Sequence, residues 1–65
     1  MESIDFIFNE KKASVHLGVS IQTLRNWRHL RKGPDYCKIG RSVRYRKCDL
    51  LEFIENSRIN LNHQK

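Results

Sequence analysis

The chain has 65 residues, with thirteen Lys and Arg against seven Asp and Glu, a formal net charge of +6 and 38% hydrophobic residues. That composition describes one small domain, too short for a deep catalytic pocket and too mixed in charge for global disorder. No apolar run approaches the ~20 residues that cross a bilayer, and the acidic start Met1-Glu2-Ser3-Ile4-Asp5 lacks the basic opening of a signal peptide, so a cytoplasmic protein is expected.

Residues 3–8, Ser-Ile-Asp-Phe-Ile-Phe, are apolar and β-prone, and predict an extended lead-in with Phe6 and Phe8 on one side. Asn9 is a good N-cap, and Glu10 follows where the helix dipole favours an anion. The first helix is expected from Glu10 to about Leu17, with Phe8 stapled against Ala13 and Gly18 ending it. Ser20 caps a second helix only two residues later. Its spacing places Leu24, Trp27 and Arg31 on the inward face, and Gln22, Arg25, Asn26 and His29 on the opposite face. Gly33-Pro34 is expected to end it.

From Tyr36 to Tyr45 the chain reads as a two-stranded hairpin with a Gly40-Arg41-Ser42 turn; Val43 and Tyr45 face one way, Arg44 and Arg46 the other. A closing helix is expected from about Lys47 to Ser57, with Leu50, Phe53, Ile54 and Ser57 as its inward stripe. The expected fold is mainly α with a small β-hairpin: one winged helix-turn-helix domain over residues 1–65, with a core at 8–57 and a tail at 58–65.

The charge is segregated. Arg25 to Lys47 holds nine basic residues and one acid, Asp35, a balance of +8, while four basic and six acidic residues elsewhere give −2. Such a segment packs at a cost unless a polyanion neutralises it. Two helices joined by Leu17-Gly18-Val19-Ser20 make a helix-turn-helix, whose second helix enters the major groove of double-stranded DNA. Gln22, Arg25, Asn26 and His29 suit that groove, since Arg pairs with guanine and Asn or Gln with adenine. Ser20 and the helix N-terminus would hold a phosphate. The hairpin then reads as a wing. Arg41, beside Ser42 at its tip, would enter a minor groove, and Lys38, Arg44 and Arg46 would contact phosphates. The bland alternatives are a solvated helix face and a solubilising edge strand.

The series Leu17-Gly18-Val19-Ser20, Thr23-Leu24, Trp27-Arg28, Gly33-Pro34, Lys38-Ile39-Gly40-Arg41, Val43-Arg44-Tyr45 and Asp49-Leu50 resembles the excisionase-type branch of the MerR-like winged-helix DNA-binding proteins. That branch includes phage excisionases and AlpA-type regulators. The resemblance spans about Phe8 to Ile54. It implies a recognition helix at Ser20 to Lys32, a wing around Arg41, and a role in excising integrated elements or switching transcription. It adds Thr23 and Arg28 to the candidate DNA contacts. Lys12 stands where an acidic residue is common, so no capping box forms with Asn9, and His16 replaces the usual aromatic or aliphatic residue. The residues after the closing helix are too few for the dimerising helix and effector site of MerR proper, so no small-molecule effector is expected.

Cys37 and Cys48 read as free thiols, and the Cys and His spacings do not make a zinc site, so neither metal nor cofactor is expected. No nucleophile–base pairing emerges, and no enzymatic activity is expected. Integrase or RNA polymerase are candidate partners, alongside cooperative self-association on DNA. Two other readings stay open. One is a protein-interaction or antitoxin-like adaptor docking through Leu51, Ile59 and Leu61. The other is a single-stranded RNA binder, which would need aromatic residues exposed on a sheet.

Overall fold

The computed structural model describes residues 6–59 and 61. Expectations for residues 3–5 and for most of the tail lie outside that range. Three helices and one antiparallel sheet form a winged helix-turn-helix: β1 (Ile7–Asn9), α1 (Glu10–Leu17), α2 (Ile21–His29), β2 (Cys37–Ile39), β3 (Ser42–Arg46) and α3 (Lys47–Asn56).

The first two helices begin as their caps dictate. The Asn9 side chain accepts from the Lys12 amide at 2.8 Å, and Ser20 accepts from the Thr23 amide at 3.0 Å, so each satisfies an amide that the helix itself leaves unpaired. Gly18 closes α1 at φ 74°, a left-handed value that costs glycine little. From there the Val19 amide turns back to the Ser14 carbonyl, and α2 starts within three residues.

The second helix is shorter than expected. It ends at His29, not at Lys32, and the cause is a backbone reversal at Arg31 (φ 59°). The Lys32 amide bonds the Trp27 carbonyl at 2.8 Å and the Arg31 amide bonds the Arg28 carbonyl at 3.2 Å, the pair of bonds that closes a helix through a left-handed residue. Arg31 is therefore outside the helix and exposed, not on its inward face. Gly33 makes room for a side chain instead of ending the helix. A Cβ there would lie 2.8 Å from Trp27 Cε3, so only glycine lets the loop pass under the indole.

The sheet has three strands in the order β1-β3-β2, where a two-stranded hairpin was expected. The lead-in segment supplies the third strand by pairing Phe8 with Tyr45, and so occupies the edge of β3 that the hairpin leaves free. Ser42 pairs with Ile39, so the wing turn is only Gly40-Arg41, with glycine in its first position at φ 62°.

The core collects Phe8, Ala13, Leu24, Tyr45 and Leu50, with Leu17, Val19, Trp27 and Val43 packed around it. Each element except β2 contributes one of these buried apolar side chains, so the wing and the helix pair share one core. Trp27 extends it by packing against Phe53, ring centroids 5.4 Å apart. Two positions of the expected inward stripe of α3, Ile54 and Ser57, are exposed, and so is Phe6, which was expected on the same side as the buried Phe8. Phe6 precedes the strand, so alternation with Phe8 does not carry it inward. Ile54 and Ser57 lie on the last turn and the cap of α3, where the Ser57 hydroxyl donates to the Phe53 carbonyl. His16 does not enter the core either; its ring meets the edge of Phe8 at 5.3 Å.

Candidate nucleic-acid interface

The outward face of α2 carries Gln22, Arg25, Asn26 and His29, of which Gln22, Arg25, Asn26 and His29 all reach solvent. Leu24, on the opposite face, is the anchor that sets this rotation. Gln22 donates to the Asn26 carboxamide at 3.0 Å, one turn apart, which orients two amides side by side. At the helix start Thr23 is half-buried, and its hydroxyl shares a 2.9 Å hydrogen bond with Ser20. In the free protein both residues serve the cap.

One carboxylate ties this helix to α1. Glu10 accepts from Arg25 Nε at 3.2 Å and from its Nη2, and from Arg28 Nη2 at 3.3 Å. Hydrogen bonding from Arg25, opposed in part by burial and reinforced by the two guanidinium charges, holds the Glu10 carboxyl below its ordinary range. The same contact raises the Arg25 guanidinium. Arg25 still leaves about half its side chain in solvent. Arg28 is turned inward instead. It donates to the Tyr45 hydroxyl at 2.9 Å and lies 5.7 Å from the Tyr36 ring centre. Tyr45 is fully buried, so Arg28 satisfies a hydroxyl that would otherwise be stranded in the core. The fold thus employs Arg28, a candidate DNA contact by sequence, as an internal strut between α2 and the sheet.

The wing rises beside α2. An open groove of about 590 Å³ runs between them, lined by Arg25 and Arg28 on the helix side and by Arg41, Ser42 and Arg44 on the wing side. Arg41 and Lys38 are exposed, while Arg44 is half-buried with Nη1 donating to the Val43 carbonyl at 2.8 Å. Arg46 is not a free wing cation. Its Nε and Nη2 meet the two oxygens of Asp49 at 2.9 and 3.0 Å, a two-bond fork across the first turn of α3.

Within the basic segment, Arg31, Lys32, Lys38, Arg41, Arg44 and Lys47 have no ion pair among the described residues. A second cavity, of about 770 Å³, opens past the end of α2 and is lined by Arg28, His29, Arg31, Lys32 and Arg46 among others. Arg28 borders both hollows, so the cationic surface continues along α2 from the wing to the following loop. Sequence reasoning missed two features here. Glu10 appeared only as a first-turn anion, and its partner fifteen residues away left no local trace. Arg31 and Lys32 were placed inside the helix, though their charge was visible.

Among the described residues no group of three His, Cys, Asp or Glu side chains gathers to hold a metal ion. Cys37 is half-buried and Cys48 exposed, both as free thiols. No described helix is long and apolar enough to cross a membrane. A family model described as a helix-turn-helix domain matches residues 8–58. No curated protein matches the chain.

Proposed function

Because this chain belongs to the helix-turn-helix domain family, we propose that it is a sequence-specific double-stranded DNA-binding protein without catalytic activity. The observation that carries this reading is the outward face of α2. It presents two amides, an arginine and a histidine beside a wing whose tip arginine has no ion pair among the described residues. In this reading α2 lies in the major groove, where Gln22, Asn26 and Arg25 meet base edges. Arg25 exchanges Glu10 for its target at no large cost, since about half of the Arg25 side chain is already in solvent and Glu10 keeps its bond to Arg28. Arg41 enters the adjacent minor groove, and Lys38 and Arg44 hold phosphates.

The motif series favours the excisionase-type, MerR-like branch, and hence a role on a mobile element as an architectural excision factor or a transcription switch. A single small domain reads a short site, which gives poor specificity in a genome. Several copies side by side, or a partner such as integrase or RNA polymerase, would supply the rest. Exposed Leu51 and Ile59 are candidate contacts for such neighbours. Two free thiols fit a reducing, cytoplasmic setting.

A fluorescence-anisotropy titration tests the reading. If about five cations contact phosphates, log K against log[salt] falls with a slope near −4.5, about −0.9 per contact. A slope near zero, or preference for single-stranded RNA, overturns it. Integrase-mediated excision in a purified reaction and promoter output without integrase then separate the two roles.

A further inference from the structure

Arg31 adopts a backbone conformation that its own type disfavours. It is the one described non-glycine residue with positive φ, at the position after a helix where glycine is the usual occupant. The last carbonyls of α2 are already satisfied by the Lys32 and Arg31 amides, so the Arg31 side chain is not needed to close the helix. Nor does that side chain find an ion pair or hydrogen bond among the described residues. The fold therefore carries the strain of a left-handed arginine with no internal contact to offset it. Backbone strain of this kind concentrates at functional sites.

The surroundings indicate what it serves. Arg31 and Lys32 line the cavity beyond α2, together with His29 and Arg28. Of the two carboxylates there, Asp49 is taken by Arg46, and Asp35 has no ion pair among the described residues. The cavity is therefore cationic, and it continues the charged surface that runs from the wing. A helix in the major groove is flanked by the backbones of both strands. If the wing meets one of them, the cavity beyond the C-terminal end of α2 lies toward the other.

We propose that Arg31, with Lys32 beside it, is a phosphate ligand for the DNA strand that passes the C-terminal end of α2. The inference rests on the DNA-binding reading and adds a second backbone contact to it. It makes Arg31 a residue kept for binding at the expense of stability. The competing role is a cation that merely complements the helix dipole.

The test compares Arg31→Gly and Arg31→Ala with the wild-type chain, by thermal melting and by salt-dependent binding to duplexes of specific and random sequence. Arg31→Gly removes strain and charge together, so its Tm rises by a few degrees while affinity falls roughly threefold to tenfold on all duplexes. Its salt slope becomes shallower by about 0.9. Arg31→Ala loses the same affinity without the gain in Tm, since alanine keeps the strained φ. Wild-type affinity and slope in both variants overturn the inference while leaving duplex binding intact. A lower Tm in Arg31→Gly overturns it in favour of the dipole role. No salt-dependent duplex binding by the wild-type chain overturns both this inference and the reading beneath it.

Discussion

Gly33→Ala is the substitution for which the structure gives the sharpest expectation. Gly33 sits at φ 89°, and an added Cβ would lie 2.8 Å from Trp27 Cε3 and 2.9 Å from Trp27 Cβ. Two penalties combine. The positive φ costs alanine ~1–2 kcal/mol. The overlap adds ~1–3 kcal/mol, because Trp27 is wedged between this loop and Phe53 and cannot swing away freely. Alanine returns ~0.4–1 kcal/mol by restricting the unfolded chain. The net loss is ~1–5 kcal/mol, a large share of the ~3–5 kcal/mol that a domain of this size holds. Gly18→Ala is the control. Its φ is 74°, but nothing lies within 4 Å of the new Cβ, so only the first penalty applies. Urea titrations followed by fluorescence measure both, and Trp27 is the sole tryptophan, so the signal reports the residue in question. Gly33→Ala should exceed Gly18→Ala by ~1–3 kcal/mol. Equal losses would refute the claim that the loop is held under the indole.

Leu24→Ala should cost ~2–5 kcal/mol, since Leu24 is fully buried and anchors α2; a native-like thermal melt would mean that α2 is rotated otherwise. Glu10 has a lowered folded-state pKa, so its clamp stabilises the fold above the ordinary carboxylate range and is lost as pH falls through the lower, folded value. Glu10→Gln should therefore be less stable than wild type at neutral pH, and the difference in Tm should narrow on acidification; a gap that does not narrow as the pH falls below the ordinary carboxylate range would contradict this. Arg41→Ala should weaken the preference for A·T-rich flanks in a binding-site selection, because an arginine at a two-residue turn can follow a narrow minor groove; unchanged flanks would count against it.

The local chemistry of this chain was legible wherever a residue acts on its immediate neighbours. Asn9 and Ser20 cap the helices expected of them, Gly18 turns the chain, and the three- and four-residue spacing of Leu24 and Trp27 sets the rotation of α2. What stayed hidden depends on distant or unsignalled partners. The pairing of Phe8 with Tyr45 joins segments far apart in sequence: the β-prone lead-in reads as extended, but nothing near residues 7–9 says which strand it pairs with. The end of α2 was misplaced because glycine and proline mark helix ends by type, whereas Arg31 performs the reversal with no such mark. Among the candidate contacts, the outward face of α2 followed from periodicity. The inward turn of Arg28 and the Arg46–Asp49 fork did not, since charge alone says nothing of which cation the fold retains.

Whether α2 and the wing together form a DNA-binding surface is tested most directly by a ¹H–¹⁵N NMR titration of the chain with a duplex selected from a random pool. The largest shifts should fall on Gln22, Arg25, Asn26 and the Gly40-Arg41 turn, with Leu51 and Ile59, on and just after α3, little moved. Shifts concentrated at Leu51 and Ile59, with α2 and the wing unchanged, would contradict the DNA-binding assignment.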